Sequence, residues 1–216
     1  MSAGGLASPD RRALPLLEAD VAADPIVQFA RWYDEAHAVH GDDADAMVLA
    51  TAGSDSAPSA RVVLLRGVDR DGFRFYSNVE SRKGRDLDDN PRAALVLHWP
   101  GLGRQVRVSG TVQRLPDTEA NAYWRNRPRA SQLSAWASHQ SEPIRDRDAL
   151  ERAVADVVAR FDRDAEAELP LPPFWGGYLV VPSEIEFWQH RDDRLHDRLR
   201  YTRQPAGAWL LDRLQP

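Results

Sequence analysis

The chain has 216 residues and a mass of 24.3 kDa, and 43% of its residues are hydrophobic, so it can build one large domain with its own core and full disorder is excluded. A net charge of −5 and an isoelectric point of about 5.7 argue against a nucleic-acid binder, because neutralising phosphates requires a positive field. The absence of cysteine excludes disulfide scaffolds, thiolate metal sites and cysteine nucleophiles.

The N-terminal region and the length of the apolar runs predict where the chain resides. No apolar run approaches the roughly 20 residues that a membrane span needs. The segment from Met1 to Asp10 has no apolar stretch behind a basic head, as a secretory signal would. We therefore expect a cytoplasmic protein without a membrane segment. Residues 1–20 show no clear period and are predicted to be a mobile arm, and 21–216 are predicted to be a single domain.

The first predicted element is an amphipathic helix. Asp24-Pro25 is typical of a helix start, because the aspartate can cap the first turn and proline suits the first helical position. Apolar side chains then recur at helical spacing up to about residue 40, namely Ile26, Phe29, Trp32 and Tyr33.

The remaining elements predict a mainly β fold with helical insertions. Apolar runs between turn residues predict strands at 47–51, 60–65, 73–76, 93–99, 105–112, 177–181, 185–189, 198–201 and 209–211. Ser81 is predicted to cap a short helix ending at Asn90, and further helices are predicted at 117–126, after Pro128 and at 147–164. Because helices and strands do not alternate as in a doubly wound sheet, a β-barrel with inserted helices explains the pattern best.

Several common site signatures are missing from the sequence. The turn from Gly101 to Gly103 lacks the third glycine and the following helix of a dinucleotide fingerprint. His190 and His196 lie near aspartates, but the arginines of the same segment would oppose a bound cation. We therefore predict no metal site.

Basic residues are concentrated in four segments that suit phosphate binding. Twenty-seven of the 28 basic residues are arginine, and Lys83 is the one lysine. Arginine forks and lysine ammonium groups hold phosphate dianions, although arginines on a strand can equally form its solvated face. Arg61 and Arg66 enclose four continuously apolar residues, which favours a buried strand with a charge at each end. The four segments are 61–66, 81–83, 127–129 and 194–198.

A further anion site is predicted around Arg127. Tyr123, Arg127 and Ser131 are spaced four residues apart, which would align two hydroxyls and a guanidinium on one helical face. Pro128 must bend or restart the helix between them. Ordinary surface placement of the three residues remains the alternative.

Eight ordered motifs resemble one enzyme family. They are Arg61-Val-Val-Leu-Leu65, Phe75-Tyr-Ser-Asn78 with Ser81-Arg-Lys83, Arg104-Gln-Val106, Arg127-Pro-Arg-Ala-Ser-Gln132, Ala135-Trp136 through Gln140-Ser141, Phe174-Trp-Gly-Gly177, Glu186-Phe-Trp-Gln189 and Arg194-Leu-His-Asp-Arg198. From about Asp24 to Pro216 the chain resembles the pyridoxamine 5'-phosphate oxidase family.

The resemblance implies an FMN-binding split β-barrel that forms a homodimer with the flavin at the subunit interface. The implied flavin contacts are Arg61, Tyr76, Ser77, Arg82, Lys83, Gln105, Gln140, Ser141, Trp188 and Arg198. The implied contacts to a phosphorylated pyridine substrate are Arg66, Tyr123, Arg127, Ser131, Arg194 and His196. Of these, Arg194 and His196 would be catalytic, orienting the pyridine ring and controlling charge while hydride passes from the 4' carbon to the flavin. Oxygen would then reoxidise the flavin, giving hydrogen peroxide and, as product, pyridoxal 5'-phosphate.

Three features depart from the family pattern, all on the substrate side. Arg66 stands where the family usually has lysine, the N-terminal arm lacks an Arg-x-x-Tyr element, and His190-Arg191 replaces a common glycine. One alternative is therefore a relative on the same scaffold that oxidises another ring system, such as a phenazine precursor. A second alternative is a flavin or pyridoxal-phosphate binder without catalysis.

Overall fold

The computed structural model describes residues 14–161 and 167–216. Of the predicted N-terminal arm, residues 1–13 lie outside this part. Leu16 is buried, its N–H donates to Asp197 Oδ2 at 3.0 Å, and its carbonyl accepts from Arg213 Nη2 at 2.7 Å. The chain is therefore packed against its C-terminal strands from Leu16 onward, before the predicted domain start at residue 21.

The predicted first helix forms as α1, Pro25–His40. Asp24 caps it, since its side chain accepts from the Ile26 N–H at 2.8 Å. Phe29 is fully buried and meets Phe73 edge-on, with the ring centroids 4.9 Å apart. A short 3-10 helix, Gly41–Asp45, then leads into the sheet. The apolar face of α1 thus packs against the core.

Within the described ranges the strands form one nine-stranded antiparallel sheet. They are β1 Ala46–Ala52, β2 Pro58–Leu64, β3 Gly67–Asp69, β4 Gly72–Asn78, β5 Arg92–Trp99, β6 Arg104–Arg114, β7 Trp175–Gln189, β8 Asp197–Arg203 and β9 Trp209–Arg213. The order is β2-β1-β5-β6-β7-β4-β3, with β8 between β7 and β9. The sheet curls so that its edge strand β2 contacts β4. The mainly β, split-barrel architecture is confirmed.

Four further helices are inserted between strands. They are α2 Arg82–Asp89, α3 Asp117–Arg125, α4 Arg129–Ala137 and α5 Arg147–Phe161, with short 3-10 helices at Pro100–Leu102 and Asp192–Arg194. The predicted last part of α5, 162–164, lies outside the described residues. No helix in the described part of the chain is long and apolar enough to cross a membrane.

Two strand predictions need correction. The segments 177–181 and 185–189 are one strand, β7, because a register shift opposite Ser109 and Gly110 absorbs the interruption. The segment from Arg61 to Arg66 is not a buried strand: β2 ends at Leu64 and its residues alternate, with Val62 64% exposed. This alternation arises because the rest of the chain leaves one face of the sheet uncovered at β1 and β2, where Val48 is also exposed.

Ser81 does not cap α2 with its side chain, contrary to the prediction. Its hydroxyl instead donates to the Asn78 carbonyl at 2.7 Å and accepts from Lys83 Nζ at 2.9 Å. A serine before a helix can cap it only if its oxygen is free to reach the first-turn N–H groups, and here that oxygen binds the lysine.

Candidate active site

A cavity of about 1200 Å³ lies between β2 and β4, where the curled sheet fails to close. α4, α5 and the loop at residues 138–141 complete its wall. Among the described residues its lining has one carboxylate, Glu151, against the cations Arg61, Arg66, Arg82, Lys83, Arg127 and Arg147. Such an excess of positive charge in a concave site favours an anionic ligand.

Lys83, which is predicted to contact a phosphate, lies in the first turn of α2. The residue is only 6% exposed. Nζ donates to Ser81 Oγ and, at 2.7 Å, to Gln140 Oε1, which leaves one N–H unused. Burial, with the nearby charge of Arg61, lowers the pKa of Lys83 to about 8. No carboxylate of the described residues forms an ion pair with it. An anion would supply the missing countercharge.

Arg61 is held rigidly beside Lys83 at the edge of the sheet. Its Nη1 donates to Thr51 Oγ1 at 2.7 Å and to the Leu49 carbonyl at 3.2 Å, and its Nη2 donates to Ser59 Oγ at 2.7 Å. Burial lowers the pKa of Arg61, and Asp86, 3.7 Å away, opposes the shift. The guanidinium is thus preorganised at one end of the cavity.

The other predicted residues at this end contribute polar groups. Ser77 Oγ donates to Gln140 Oε1 at 3.3 Å, and the Arg82 N–H donates to Ser141 Oγ at 3.1 Å. These bonds join the loop at 138–141 to the start of α2. Lys83, Arg61, Arg82, Ser77, Gln140 and Ser141 together form what we call the β2–α2 end of the cavity.

A second cationic group lies at the other end of the cavity, around Arg127. α3 ends at Arg125 and α4 begins at Arg129, so Pro128 restarts the helix as predicted. The Arg127 guanidinium stacks over Trp175 at 4.1 Å, and its Nη1 is buried without a hydrogen-bond partner among the described residues. Burial, reinforced by the charge of Arg66, lowers the pKa of Arg127, although Tyr123 opposes this.

The neighbours of Arg127 form the remainder of this α3–α4 end. Tyr123 and Ser131 line the cavity although they belong to different helices. The Tyr123 ring stacks on Tyr76 with centroids 3.9 Å apart and planes within 5°. Arg66 also lines the cavity and pairs with Asp45. This geometry places two hydroxyls and two guanidinium groups around one space.

The other predicted site residues lie outside this cavity. Gln105, Trp188 and Arg198 are register neighbours on β6, β7 and β8, so they form a row on one face of the sheet. His196 lies against Trp188, with the ring centroids 4.5 Å apart. Arg194 is exposed to solvent, and its backbone adopts the left-handed conformation, with φ of 61°. We call these five residues the sheet-face cluster.

The sheet-face cluster is also preorganised. Arg198 Nε and Nη2 donate to the two oxygens of buried Glu186 at 2.8 and 3.1 Å. The backbone N–H of Arg191 donates to His196 Nδ1 at 3.2 Å. Burial, followed by the charges of His190 and Arg194, lowers the pKa of His196. Because Nδ1 accepts this backbone hydrogen bond, the neutral form of His196 carries its proton on Nε2.

Sequence reasoning missed part of the cavity wall. Trp175 stacks under Arg127, and Arg147, Leu150 and Val154 of α5 line the cavity, but no sequence signal assigns these four residues to a site. The amphipathic pattern of α5 reveals an apolar face but not what that face covers. Among the described residues, no cluster of three or more metal-ligating side chains is present.

Two family models and many curated proteins match this chain. Residues 34–161 match the family model described as pyridoxamine 5'-phosphate oxidase, and residues 175–216 match the pyridoxine 5'-phosphate oxidase C-terminal dimerisation region. The pyridoxine/pyridoxamine 5'-phosphate oxidase of Salinibacter ruber is 54% identical over 91% of each chain. The enzyme of the same name from Cupriavidus pinatubonensis is 50% identical over 93% of each.

Solved structures show the same fold. PhzG from Burkholderia lata, in complex with tetrahydrophenazine-1-carboxylic acid, has a TM-score of 0.86 and 35% identity, covering 95% of this chain and 100% of its own. The predicted family, the oxidoreductase class and FMN as cofactor are confirmed. The chain belongs to the pyridoxamine 5'-phosphate oxidase family.

Proposed function

We propose that the protein oxidises pyridoxine 5'-phosphate or pyridoxamine 5'-phosphate to pyridoxal 5'-phosphate, with oxygen as electron acceptor and hydrogen peroxide as second product. The observation that carries this proposal is the presence of two separate cationic groups in one cavity, at the β2–α2 end and at the α3–α4 end. A cofactor and a substrate that each bear a phosphate require two such groups.

The β2–α2 end fits the FMN phosphate. Lys83 has an unused N–H and lacks a carboxylate partner among the described residues, and Arg61 and Arg82 lie beside it. The cavity of about 1200 Å³ exceeds the usual range for one ligand, roughly 300 to 1000 Å³, and so has room for cofactor and substrate together. Bound FMN supplies the two-electron oxidation of the substrate's 4' carbon, with oxygen as the final acceptor.

The α3–α4 end fits the substrate phosphate. Arg127 presents a buried, unpartnered Nη1, and Tyr123 and Ser131 add hydroxyl donors beside it. A phosphate dianion would satisfy these donors together. Binding through a phosphate remote from the reacting carbon fixes the pyridine ring in one orientation, which is how remote binding energy assists a chemical step.

The sheet-face cluster completes the site from a second subunit. The face that carries Gln105, Trp188 and Arg198 continues across β5 and β1 to β2, where Val48, Val62 and Leu64 are 37 to 64% exposed. Exposed apolar side chains on β1 and β2 of this face favour association. In a two-fold homodimer built on it, each subunit's sheet-face cluster would reach the partner's cavity. The match to a dimerisation region over 175–216 supports this arrangement.

In this arrangement Arg194 and His196 act on the pyridine ring. The arginine is exposed and forms no ion pair among the described residues, so its positive charge is available to a substrate. Neutral His196 can donate a hydrogen bond from Nε2 because Nδ1 already accepts from the backbone. Both residues would orient the ring and stabilise charge while the 4' carbon loses its hydride. An alcohol substrate then gives the aldehyde directly, whereas an amine substrate also consumes water and releases ammonia.

The proposed substrate is tested by anaerobic reduction of the bound flavin. Protein loaded with FMN is mixed with pyridoxine 5'-phosphate without oxygen, and the absorbance of oxidised flavin is followed. We expect bleaching that reverses when air is admitted, with pyridoxal 5'-phosphate formed. If the flavin stays oxidised while bound, the named substrate is wrong.

A second candidate function is oxidation of a reduced phenazine carboxylic acid. It is favoured by the likeness to PhzG and by the substrate-side departures at Arg66 and His190-Arg191. The anionic group of such a ligand is a carboxylate, whereas pyridoxine 5'-phosphate carries a phosphate on a flexible arm. A carboxylate has fewer oxygens and so accepts from fewer of the donors around Arg127. Bleaching by a tetrahydrophenazine carboxylic acid but not by pyridoxine 5'-phosphate would support this second function.

The shared site predicts complementation between inactive variants. In dimers formed from Arg127→Ala and Arg194→Ala chains, one site of each heterodimer receives both defects and the other receives neither. Random association should therefore restore about one quarter of wild-type peroxide production. Two variants of the same cavity, Arg127→Ala and Lys83→Met, are the control. Assayed at an FMN concentration too low to load Lys83→Met, their mixture should not exceed the separate variants. Failure of the first pair to exceed the separate variants would place the whole site within one subunit.

A further inference from the structure

We propose that Asp45 is a positioning residue that orients the guanidinium of Arg66 toward the substrate phosphate. The inference rests on the proposed function, because Arg66 is assigned there to the α3–α4 end of the cavity. It concerns a residue that the sequence motifs did not single out.

Arg66 is tied to its surroundings by its backbone as well as its side chain. The Arg66 N–H donates to the Arg74 carbonyl of β4 at 2.8 Å, and the Leu65 N–H donates to the Asp45 carbonyl at 2.9 Å. The side chain of Arg66 then lines the cavity while its Nη1 bonds to Asp45 Oδ2. The residue therefore spans the gap between Asp45 and the ligand space.

Asp45 is itself immobilised by α1. The residue is 8% exposed, and its Oδ1 accepts from the Tyr33 hydroxyl and lies 2.9 Å from His37 Nε2. Burial, followed by the hydrogen bond to Asp45, raises the pKa of Tyr33, so the phenol keeps its proton and donates. The Tyr33 ring stacks on Phe29 of the core, with centroids 5.3 Å apart. A carboxylate held in this way can define the direction of its partner.

The ion pair with Asp45 leaves part of the Arg66 guanidinium available to bind an anion. Of the contacts between described residues, the pair with Asp45 uses only Nη1 of Arg66, so Nε and Nη2 can meet an anion. Asp45 is not part of the cavity lining, so its carboxylate contacts Arg66 from outside the ligand space. Its charge therefore orients Arg66 without facing the substrate phosphate directly.

An arginine at this position benefits from such a partner more than a lysine would. A guanidinium binds phosphate through a planar fork whose direction matters, whereas an ammonium acts as a compact point charge. The family usually has a lysine where this chain has Arg66. An ammonium group has no plane, so a lysine would not need a partner to orient it. The ion pair with Asp45 thus compensates for the exchange of lysine for arginine.

The test is a mutant cycle on Michaelis constants. Asp45→Asn should raise KM for pyridoxine 5'-phosphate about fivefold, with kcat and FMN affinity within about twofold of wild type. In an Arg66→Ala background, adding Asp45→Asn should leave KM at the value of Arg66→Ala alone, because no guanidinium remains to be oriented. Asp43→Asn removes an exposed carboxylate of the same 3-10 helix and is the matched control for net charge.

Several results would overturn the proposal. A lower or unchanged KM in Asp45→Asn would show that Asp45 competes with the substrate or plays no part. An equal rise in KM in the Arg66→Ala background would assign Asp45 a general structural role. If Arg66→Ala alone leaves KM unchanged, the substrate role of Arg66 fails, which is distinct from failure of the Asp45 assignment. If Asp45→Asn does not fold, Asp45→Glu keeps the charge and should show a smaller rise in KM at unchanged kcat.

Discussion

Replacing Arg127 by alanine is expected to lower kcat/KM for pyridoxine 5'-phosphate about 100-fold while FMN affinity stays unchanged. The guanidinium is half-buried on Trp175, and its buried Nη1 has no partner among the described residues, so a substrate phosphate gains a charge-assisted bond in a desolvated site. The β2–α2 end, which we assign to FMN, does not depend on this side chain. Steady-state kinetics and flavin titration measure the two quantities separately.

A matched control and a matched substrate sharpen this experiment. Arg125→Ala removes an exposed arginine at the end of α3, whose partner Glu168 lies 3.3 Å away, and should leave kcat/KM unchanged. Pyridoxine without a phosphate should be oxidised equally poorly by wild type and by Arg127→Ala. A comparable loss toward both substrates would show that Arg127 supports the fold or the flavin instead of the phosphate.

Replacing Lys83 by methionine is expected to raise the FMN dissociation constant by about 30-fold, since a hydrogen bond to a charged group contributes about 1.5 to 3 kcal/mol. The ammonium is buried, with hydrogen bonds only to Ser81 and Gln140 among the described residues. Methionine fills a similar volume without charge. Arg85→Met, on the exposed side of the same helix, is the control and should not change the affinity. Unchanged affinity in Lys83→Met would remove this residue from the flavin site.

The pKa of Lys83 adds a pH dependence to the same prediction. In the ligand-free protein that pKa is lowered to about 8, whereas a bound phosphate dianion would raise it. Above pH 8 the ligand-free lysine loses its proton, so binding of FMN must take one up and affinity falls as the pH rises. Between pH 7 and pH 9 the dissociation constant should increase about tenfold in wild type and stay flat in Lys83→Met. An equal increase in both proteins would assign the titration to another group.

Local sequence patterns predicted most elements because their physical causes are local. The cap at Asp24 and the apolar spacing of α1 act within a few residues of each other, and both appear in the structure. Turn residues likewise separate β1, β2 and β4 as predicted. The errors arose where distant partners decide the outcome. The exposure of Val62 follows from the uncovered face of the sheet at β1 and β2, and the continuity of β7 follows from its register with β6.

The sequence by itself determined the chemical inventory of this protein: a lone lysine, arginine-bearing segments and ordered motifs that identify an FMN-dependent oxidase family. Only the tertiary structure decided how these residues are grouped. It buries Lys83 against Gln140, pairs Arg66 with Asp45, and separates the cavity from the sheet-face cluster. The physical reason is that residue type and local periodicity depend only on residues that are close together in the sequence. Burial and proximity depend instead on strand register and on how far the sheet curls.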